Sequence, residues 1–253
     1  MSEPAIIEGD ADLAAAIAKA AGRLLVGLRE SGLFEGKALG AAGDAVAQKL
    51  IEEAIKLQRP NDAVLSEEAV DDKARLAASR VWIIDPLDGT REYGEGRADW
   101  AVHVALTVDG APALGAVALP GLDLVLRSDA PPARPAGNTP PKMLVSRTRP
   151  APQALHVAEL MGAELLPMGS AGAKAMAVVR GEADIYLHAG GQYEWDSCAP
   201  VAVALAAGLH VSRIDGSPCV YNQENPYMPD LLICRPEFAE LALKAVAEAV
   251  EPA

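Results

Sequence analysis

Two carboxylates spaced three residues apart follow an apolar run in the segment 81–90. Asp85 and Asp88 come after Val-Trp-Ile-Ile, a pattern typical of a buried strand. The proline between them and the glycine after them force a sharp turn at the C-terminal edge of the strand, where ligands bind in layered α/β proteins. Mg²⁺ prefers carboxylate ligands and leaves room for substrate phosphate. Backbone N–H groups at Gly89 and Thr90, at a predicted helix start, suit a phosphate oxyanion. The segment therefore predicts a metal and phosphate site.

Three other acidic segments could join this loop in one site. Glu67 and Glu68 follow a predicted short strand, Asp196 begins a predicted helix, and Asp44 opens an earlier one. Each also has a purely structural interpretation. Asp-Pro and Asp-Gly are ordinary turn dipeptides, Asp44 and Asp196 suit helix N-caps, and surface glutamates are usually solvated. The spacing alone leaves both interpretations open.

The composition restricts the class of protein. The chain has 253 residues, of which 51% are hydrophobic, enough for a sizeable core in one large domain or two lobes. Its net charge of −13 opposes binding to a nucleic acid polymer or to an anionic membrane through a general positive field. A small anionic substrate is compatible with this charge if bound cations connect it to the protein.

The cysteines and the apolar segments favour a cytoplasmic protein. Cys198, Cys219 and Cys234 are odd in number and lack a C-x-x-C pair, which favours reduced thiols over a disulfide scaffold. Residues 1–5 show no basic region followed by an apolar stretch, so we expect no leader peptide. The alanine-rich segments all carry nearby charges, so we expect no membrane span.

The first half of the chain combines helices with an antiparallel meander. Apolar spacing predicts a helix over 10–30 and a second from about Asp44 to just before Pro60, followed by a short strand near 63–65. Asp-Gly and Pro-Gly turns then separate three predicted strands: 102–108, 113–119 and 122–127.

A proline-rich segment, 130–141, predicts a linker between two lobes. The N-terminal lobe, 1–129, is α+β with an antiparallel sheet and carries most of the acidic residues. In the C-terminal lobe, 142–253, strands and helices alternate, which is typical of an α/β arrangement. Its predicted strands are 143–145, 165–168, 184–187, 209–212 and 231–233, and its predicted helices are 151–161, 171–180, 196–207 and 236–250.

Together these segments resemble the inositol monophosphatase superfamily of Mg²⁺-dependent, lithium-sensitive phosphatases. The match rests on Glu67-Glu68, on Trp-Ile-Ile-Asp-Pro-Leu-Asp-Gly-Thr at 82–90, and on Trp195-Asp196 with an alanine-rich helix that ends at Gly208. The order and separation of these segments fit the family over essentially the whole chain. The resemblance implies the layered αβαβα fold of sugar phosphatases and a hydrolase of phosphate monoesters. Relatives are commonly homodimers, so a homodimer is also an expectation.

The resemblance assigns a metal-binding role to the acidic residues. The implied metal ligands are Glu67, Asp85, Asp88, Asp196 and the backbone carbonyl of Leu87. They would hold two or three Mg²⁺ ions, with Asp85 bridging two of them. Four carboxylates in one place are untenable without cations, so we expect the metal-free site to be partly disordered or partly protonated. Two metals about 3.5–4 Å apart can hold both the attacking water and the ester oxygen.

The resemblance also implies catalytic and substrate-binding residues. Asp44 and Thr90 resemble the pair that orients and deprotonates the attacking water. Glu68 resembles the carboxylate that holds a further metal or its water. Backbone N–H groups of Gly89 and Thr90 would bind the phosphate, and Gly169-Ser170 is similar to the substrate loop of the family.

The implied substrate is a nucleotide bisphosphate. Inositol monophosphatases usually carry an acidic residue shortly before the Trp-Asp pair, and 187–194 offers no clear equivalent. The segments 62–68, 169–174, 188–192 and 194–200 are more similar to the CysQ-type bisphosphate nucleotidase branch. That branch removes the 3′-phosphate of 3′-phosphoadenosine 5′-phosphate to leave AMP, which clears a by-product of sulfate assimilation.

Basic and aromatic residues near these segments are candidates for substrate specificity. Lys174, and more weakly Arg147 and Arg149, could meet a second phosphate, with a solvated helix residue as the alternative for Lys174. His188 and Tyr193 could equally line a nucleoside pocket or serve packing. The remaining strand histidines, His103 and His210, are expected to be structural.

Other functions use parts of the same pattern. Inositol monophosphate and fructose 1,6-bisphosphate are alternative substrates for the same chemistry. A non-catalytic sensor of Mg²⁺ and nucleotide is disfavoured, because such a protein would not need Asp44 and Thr90. A structural Ca²⁺ loop is disfavoured by the absence of regular ligand spacing. Phosphatases that form an aspartyl-phosphate place two aspartates two residues apart, whereas Asp85 and Asp88 are three apart.

Overall fold

Ten strands form two five-stranded sheets in the computed structural model, which describes residues 6–250. The strands β1 to β5 of the first sheet are Ala63–Ser66, Arg80–Asp88, Ala101–Val108, Ala111–Leu119 and Leu124–Arg127, adjacent in chain order. The strands β6 to β10 of the second sheet are Lys142–Ser146, Glu164–Met168, Ile185–Tyr193, His210–Ser212 and Tyr227–Cys234. Their order in space is β7-β6-β8-β10-β9.

The helices of the described chain form three layers around these sheets. Helices α1 to α7 are Asp10–Glu30, Gly36–Gln58, Thr90–Gly94, Pro152–Met161, Ala171–Val179, Glu194–Ala206 and Pro236–Val250. Helices α1 and α2 cover one face of the first sheet, α5 and α6 lie between the two sheets, and α4 and α7 cover the outer face of the second. This αβαβα order confirms the predicted fold class.

The strand that precedes the predicted metal loop is buried on both faces. In β2, Trp82 and Ile84 pack toward α1 and α2, whereas Ile83 packs toward the layer of α5 and α6. Successive side chains of a strand point to opposite faces, so an unbroken apolar run is what burial on both faces requires. The end of β2 therefore lies inside the protein, and Asp85 and Asp88 are only 1% and 6% exposed.

Most predicted elements are confirmed, but the start of the second helix is wrong. Helix α2 begins at Gly36 instead of Asp44, so Asp44 lies within the helix and does not cap it. The early turns contain glycines because the helix passes very close to α3. A Cβ on Gly40 would lie 2.6 Å from Thr90 Cγ2, and a Cβ on Gly94 would lie 2.5 Å from the carbonyl oxygen of Gly36. Tertiary packing here overrides the low helix propensity of glycine.

The predicted linker, 130–141, contains no regular helix or strand. Helices α5 and α6 pack against both sheets, so one apolar cluster joins the two halves of the chain. The division into two lobes therefore stays a prediction. All three cysteines are free thiols, as expected. Among the helices of residues 6–250, none is long and apolar enough to cross a membrane.

Candidate active site

Glu67 and Asp85 come together because β1 and β2 are parallel neighbours. Ser66, the last residue of β1, pairs with Ile84 of β2. Glu67 follows the end of β1, and Asp85 is the next residue of β2, so both lie at the same edge of the sheet, where α/β proteins bind ligands. Burial, and then the negative charge of Glu67, raise the pKa of Asp85.

Asp88 and Asp196 complete an acidic cluster at this edge. The pairing of β2 with β3 shifts register between Asp85 and Asp88, and the resulting turn brings Asp88 beside Asp85. Asp196 comes from the first turn of α6, between the sheets. One carboxylate oxygen from each of these three aspartates lies within 4.8 Å of the other two. This is the type of ligand set that hard divalent cations prefer.

The electrostatics of the cluster fit bound cations. Burial, followed by the charges of Glu67 and Asp88, raises the pKa of Asp85 well above its usual value. Burial and the charge of Asp88 raise the pKa of Asp196 to about 6. Glu67 is accessible to solvent, but the surrounding protein atoms and the charge of Asp196 raise its pKa to about 7. Repulsion of this kind is relieved by protons or by cations, and partial protonation of the metal-free site stays a prediction.

Asp88 differs from its neighbours because hydrogen-bond donors surround it. Its Oδ2 accepts hydrogen bonds from Ser170 Oγ (2.5 Å) and Gly172 N (2.6 Å), and its Oδ1 accepts one from Ala171 N (3.1 Å). His103 Nε2 lies 3.2 Å from Asp88 Oδ2. Burial would raise the pKa of Asp88, but His103 and these hydrogen bonds outweigh it and lower the pKa to about 2. Asp88 therefore stays ionised and connects the start of α5 to the cluster.

Asp196 is not the N-cap of α6, as the sequence left open, because the helix begins at Glu194 and Tyr193 is its N-cap. Asp196 Oδ2 accepts a hydrogen bond from the backbone N–H of Tyr193 at 2.7 Å, which caps the first turn of α6. The same carboxyl group belongs to the acidic cluster. The helix cap therefore fixes the carboxylate in place without removing it from the site.

Asp44 and Thr90 lie together beside the cluster, as the resemblance implies. Thr90 Oγ1 is 3.5 Å from Asp44 Oδ1 and 3.1 Å from the carbonyl oxygen of Leu87. Burial and then the negative charge of Glu68 raise the pKa of Asp44 to about 7, although the Thr90 hydroxyl acts in the opposite direction. A carboxyl group with this pKa can accept a proton from water near neutral pH. A cavity of about 670 Å³ between α2 and α3 opens onto the pair.

The predicted substrate loop packs directly on the turn that follows Asp88. Gly89 has a φ of +88°, and a Cβ there would lie 3.1 Å from Ser170 Cβ. Gly169 N donates a hydrogen bond of 2.7 Å to Asp99 Oδ2. Only glycine adopts the Gly89 conformation without strain, and its missing side chain leaves room for the loop. The structure thus brings Gly89, Gly169 and Ser170 together.

Lys174 is buried, which makes the alternative of a solvated helix residue wrong. The residue is 6% exposed because α5 lies between the two sheets. Its Nζ donates hydrogen bonds to the carbonyl oxygens of Ser170 (2.6 Å) and Gly169 (3.3 Å), and it lies 5.2 Å from the centre of the Tyr186 ring. Burial lowers the pKa of Lys174, while Asp88 acts in the opposite direction. A contact with a second phosphate stays a prediction.

Arg147 and His188 also have protein partners. Arg147 Nη2 donates hydrogen bonds of 2.8 Å to Glu92 and to Glu95. The His188 ring is half-buried, and its Nε2 lies 3.0 Å from the carbonyl oxygen of Gly190. Burial, followed by the positive charge of Lys174, lowers the pKa of His188 to about 4. Roles in substrate binding stay predictions for both residues.

His103 is the site residue that the sequence interpretation missed. It was expected to be structural, yet its ring contacts Asp88 of the acidic cluster through Nε2. Its other nitrogen, Nδ1, lies 3.0 Å from the backbone carbonyl oxygen of Trp195. A usable signal exists in the strand pattern. His103 is a polar residue within a strand of mostly apolar residues, and in the pairing of β2 with β3 it lies opposite Asp85. A polar residue in a buried strand is therefore a signal for a site residue.

Comparisons with known proteins agree with this geometry. The profile of the Inositol monophosphatase family matches residues 10–251. The chain is 51% identical over 255 residues to a 3′-phosphoadenosine 5′-phosphate phosphatase of Mycobacterium leprae, with 94% of each chain covered. It is 28% identical over 199 residues to the 3′(2′),5′-bisphosphate nucleotidase CysQ of Escherichia coli K12, with 74% of this chain and 81% of the relative covered.

Solved structures give the same result for the fold. CysQ from Bacteroides thetaiotaomicron matches with a TM-score of 0.77 at 25% identity, covering 89% of this chain and 97% of that one. An inositol monophosphatase from Anabaena matches with a TM-score of 0.75 at 23% identity, covering 94% and 95%. The family profile matches nearly the whole chain, and the curated relatives are phosphatases of this type. Both findings are consistent with an acidic cluster at the end of β2. The chain belongs to the inositol monophosphatase family.

Proposed function

We propose that this protein is a metal-dependent phosphatase that removes the 3′-phosphate of 3′-phosphoadenosine 5′-phosphate, giving AMP and inorganic phosphate. The observation that carries the proposal is the convergence of Asp85, Asp88 and Asp196 within 4.8 Å, beside the pair Asp44 and Thr90. The substrate is taken from relatives that are 51–52% identical and bear the name of this phosphatase.

The metal requirement follows from the donor set. Family members are generally metal-dependent, and this chain has an acidic cluster that can bind metal. We infer that the metal is Mg²⁺, because the cluster offers only carboxylate and carbonyl oxygens. The residues that would hold two or three ions are Glu67, Asp85, Asp88, Asp196 and the carbonyl of Leu87, with Glu68 for a third. Bound Mg²⁺ would supply Lewis acidity and neutralise the charge on the phosphate.

The residues of the chain supply orientation and proton transfer. The Thr90 hydroxyl lies between Asp44 Oδ1 and the Leu87 carbonyl, so it is held where it can orient a water molecule. Asp44 is the base that accepts the proton from this water, and its pKa of about 7 suits the role. The backbone of Gly89 and Thr90 would bind the phosphate oxygens, and Ser170 keeps the Asp88 carboxylate in position.

The assay that tests the proposal measures release of inorganic phosphate under one Mg²⁺ concentration. The substrates are 3′-phosphoadenosine 5′-phosphate, inositol 1-phosphate and fructose 1,6-bisphosphate. The expected result is the highest kcat/KM for the nucleotide and loss of turnover in Asp88→Asn, with the fold intact by circular dichroism. A preference of about tenfold or more for fructose bisphosphate would overturn the substrate assignment. Full turnover in Asp88→Asn would overturn the role of the cluster.

Calorimetry combined with the phosphate assay distinguishes this enzyme from a sensor that binds Mg²⁺ and nucleotide without turnover. A sensor would bind both ligands and release no phosphate. Ca²⁺ should bind to the cluster but fail to support hydrolysis, because its flexible coordination does not hold the reacting groups in one geometry.

Two further inferences accompany the proposal: a homodimer, tested by light scattering, and a cytoplasmic location, which rests on the cysteine usage alone.

A further inference from the structure

An aromatic cluster stands at the start of α6, beside the candidate metal site. The chain is poor in aromatic residues, with three Trp, five Tyr and two Phe. Three of these, Tyr193, Trp195 and Tyr227, form one group. The rings of Tyr193 and Trp195 are stacked with centroids 4.8 Å apart and an interplanar angle of 7°, and Tyr227 meets Tyr193 edge-on at 5.6 Å.

Core packing does not account for this cluster. Tyr193 and Tyr227 are 42% and 43% exposed, whereas Tyr186 and Tyr221 are almost completely buried. Single exposed apolar residues are normal on a protein surface, but a contiguous aromatic patch beside a polar site is a sign of binding. Trp195 packs against one face of the Tyr193 ring, so it holds that ring in a fixed orientation while the ring stays accessible to solvent.

The aromatic cluster lies next to the acidic cluster in sequence and in space. Tyr193 is three residues before Asp196, and its backbone N–H donates to Asp196 Oδ2 at 2.7 Å. Gly190 and Gly191, just before Tyr193, have φ values of +92° and +84°, and a Cβ on either would meet no atom within 4 Å. Open space therefore lies next to Gly190 and Gly191, in the same strand as Tyr193.

We propose that the exposed aromatic patch is a platform for the nucleobase of the substrate, with the base stacked on Tyr193 and bordered by Tyr227, whose ring stands at 78° to that of Tyr193. The inference rests on the proposed function, since it needs the phosphate of a nucleotide to lie at the acidic cluster. An aromatic ring stacks on any base because every base has a π-face. The platform is also uncharged, so it can accept a neutral base in a strongly acidic protein. It would favour nucleotides over sugar phosphates, which have no aromatic ring to stack.

The platform predicts a change in substrate preference, which a structural role does not. Tyr193→Ala and Tyr227→Ala are compared with wild type on 3′-phosphoadenosine 5′-phosphate and on inositol 1-phosphate. The expected result is a fall in the ratio of kcat/KM for nucleotide to that for inositol phosphate of roughly 5- to 150-fold, the range of base stacking on aromatic side chains. The loss should appear in KM more than in kcat, because stacking is made equally in the ground state and the transition state.

Two controls separate recognition from folding. Tyr193→Phe keeps the ring and should recover most of the ratio that Tyr193→Ala loses. Leu160→Ala removes a 50% exposed apolar side chain from α4, on the outer face of the second sheet, and should leave the ratio unchanged. Thermal unfolding of each variant shows whether the fold is kept. Tyr227 lies on another strand, so it gives an independent test if Tyr193→Ala fails to fold.

The outcomes distinguish failure of the platform from failure of the proposed function. If wild type hydrolyses the nucleotide and both alanine variants lose activity on the two esters equally, or lose none, the platform is wrong and the function stands. If wild type hydrolyses no nucleotide, the proposed function is wrong. Quenching of tryptophan fluorescence by AMP then decides the platform: AMP binding that Tyr193→Ala abolishes supports it, and the absence of such binding overturns it.

Discussion

The imidazole of His103 lies 3.2 Å from the carboxylate of Asp88, at the buried centre of the candidate site. The other ring nitrogen, Nδ1, lies 3.0 Å from the carbonyl oxygen of Trp195, which precedes Asp196. One side chain of the first sheet thus contacts Asp88 of β2 and the residue that precedes Asp196 in α6. Groups that orient metal ligands influence metal binding without touching the metal.

Replacement of His103 by glutamine is expected to weaken metal binding. The substitution removes the ring that holds Asp88 and the backbone before Asp196, and loss of such a partner typically lowers metal affinity or activity by about 10- to 100-fold. Calorimetric titration with Mg²⁺ measures the affinity directly, and the Mg²⁺ concentration for half-maximal activity provides a second value. His210→Gln, which changes a histidine that bonds to Ser212 on β9, is the matched control. Equal Mg²⁺ affinity in His103→Gln and wild type would contradict this role.

The substitution Gly172→Ala is expected to displace the His103 ring. A Cβ at this position would lie 2.0 Å from His103 Nε2, and the His103 ring is completely buried. Overpacking of this kind typically costs about 1–3 kcal/mol of unfolding free energy. We expect a lower Tm and a loss of phosphatase activity, measured by thermal unfolding and by phosphate release.

The control for Gly172 is another helical glycine. A Cβ at Gly27, inside α1, would meet no atom within 4 Å. Gly27→Ala should therefore raise the unfolding free energy by about 0.4–1 kcal/mol through helix propensity and a less flexible unfolded chain. The same response in both variants would show that the close approach to His103 does not matter.

The substitution Asp44→Asn should remove the proposed base while keeping the cluster of Asp85, Asp88 and Asp196. Loss of general base catalysis typically lowers kcat by about 100-fold or more. Because Asp44 is outside the group of three aspartates, Mg²⁺ affinity should change much less than kcat. Steady-state kinetics and calorimetry on the same preparation test this difference. A variant with wild-type kcat would exclude Asp44 as the base.

The stability of the metal-free protein should fall as the pH rises. Folding raises the pKa of Glu67 from 4.5 to about 7, of Asp44 from 3.8 to about 7, and of Asp196 from 3.8 to about 6. The folded state then binds more protons than the unfolded state, so stability is greatest below the unfolded pKa values and is lost as pH rises toward about 7. Two groups act in the opposite direction: His188, whose pKa is lowered from 6.5 to about 4, and Asp88, whose pKa is lowered from 3.8 to about 2 and whose contribution is lost only below about pH 4.

Mg²⁺ should reverse this loss. Cations replace the protons that neutralise the cluster, so the increase in Tm on adding Mg²⁺ should be larger at about pH 8 than at about pH 5. Thermal unfolding with Mg²⁺ and with a chelator, at both pH values, measures the difference. An increase that does not depend on pH would mean that the carboxyl groups do not titrate in the folded protein.

The substitution Lys174→Met tests whether this buried lysine contacts the substrate. Its Nζ donates to the carbonyl oxygens of Gly169 and Ser170, so removal of the ammonium group should disturb the loop that holds Asp88. We expect kcat/KM to fall in parallel on 3′-phosphoadenosine 5′-phosphate and on 3′-AMP, by roughly 5-fold or more for a lost hydrogen bond. A loss confined to the bisphosphate would instead support direct contact with the second phosphate.

The local sequence determined the strands, most helices and the chemistry of the acidic loop. The apolar run before Asp85 forms a strand because burial on both faces demands it, and the turn before Gly89 follows from proline and glycine. The implied partners Glu67 and Asp196 could be named because family members share these short motifs. Their approach to Asp85 depends on the parallel pairing of β1 with β2 and on the position of α6.

Only the tertiary structure decided which other residues belong to the site. The pattern of β3 makes His103 one more buried residue, and register with β2 places it against the cluster. Helix periodicity did not distinguish a solvated Lys174 from a buried one, because α5 is apolar on all sides and lies between two sheets. The start of α2 was missed since glycine usually weakens a helix, and here it permits a close approach to Thr90 that exists only after folding.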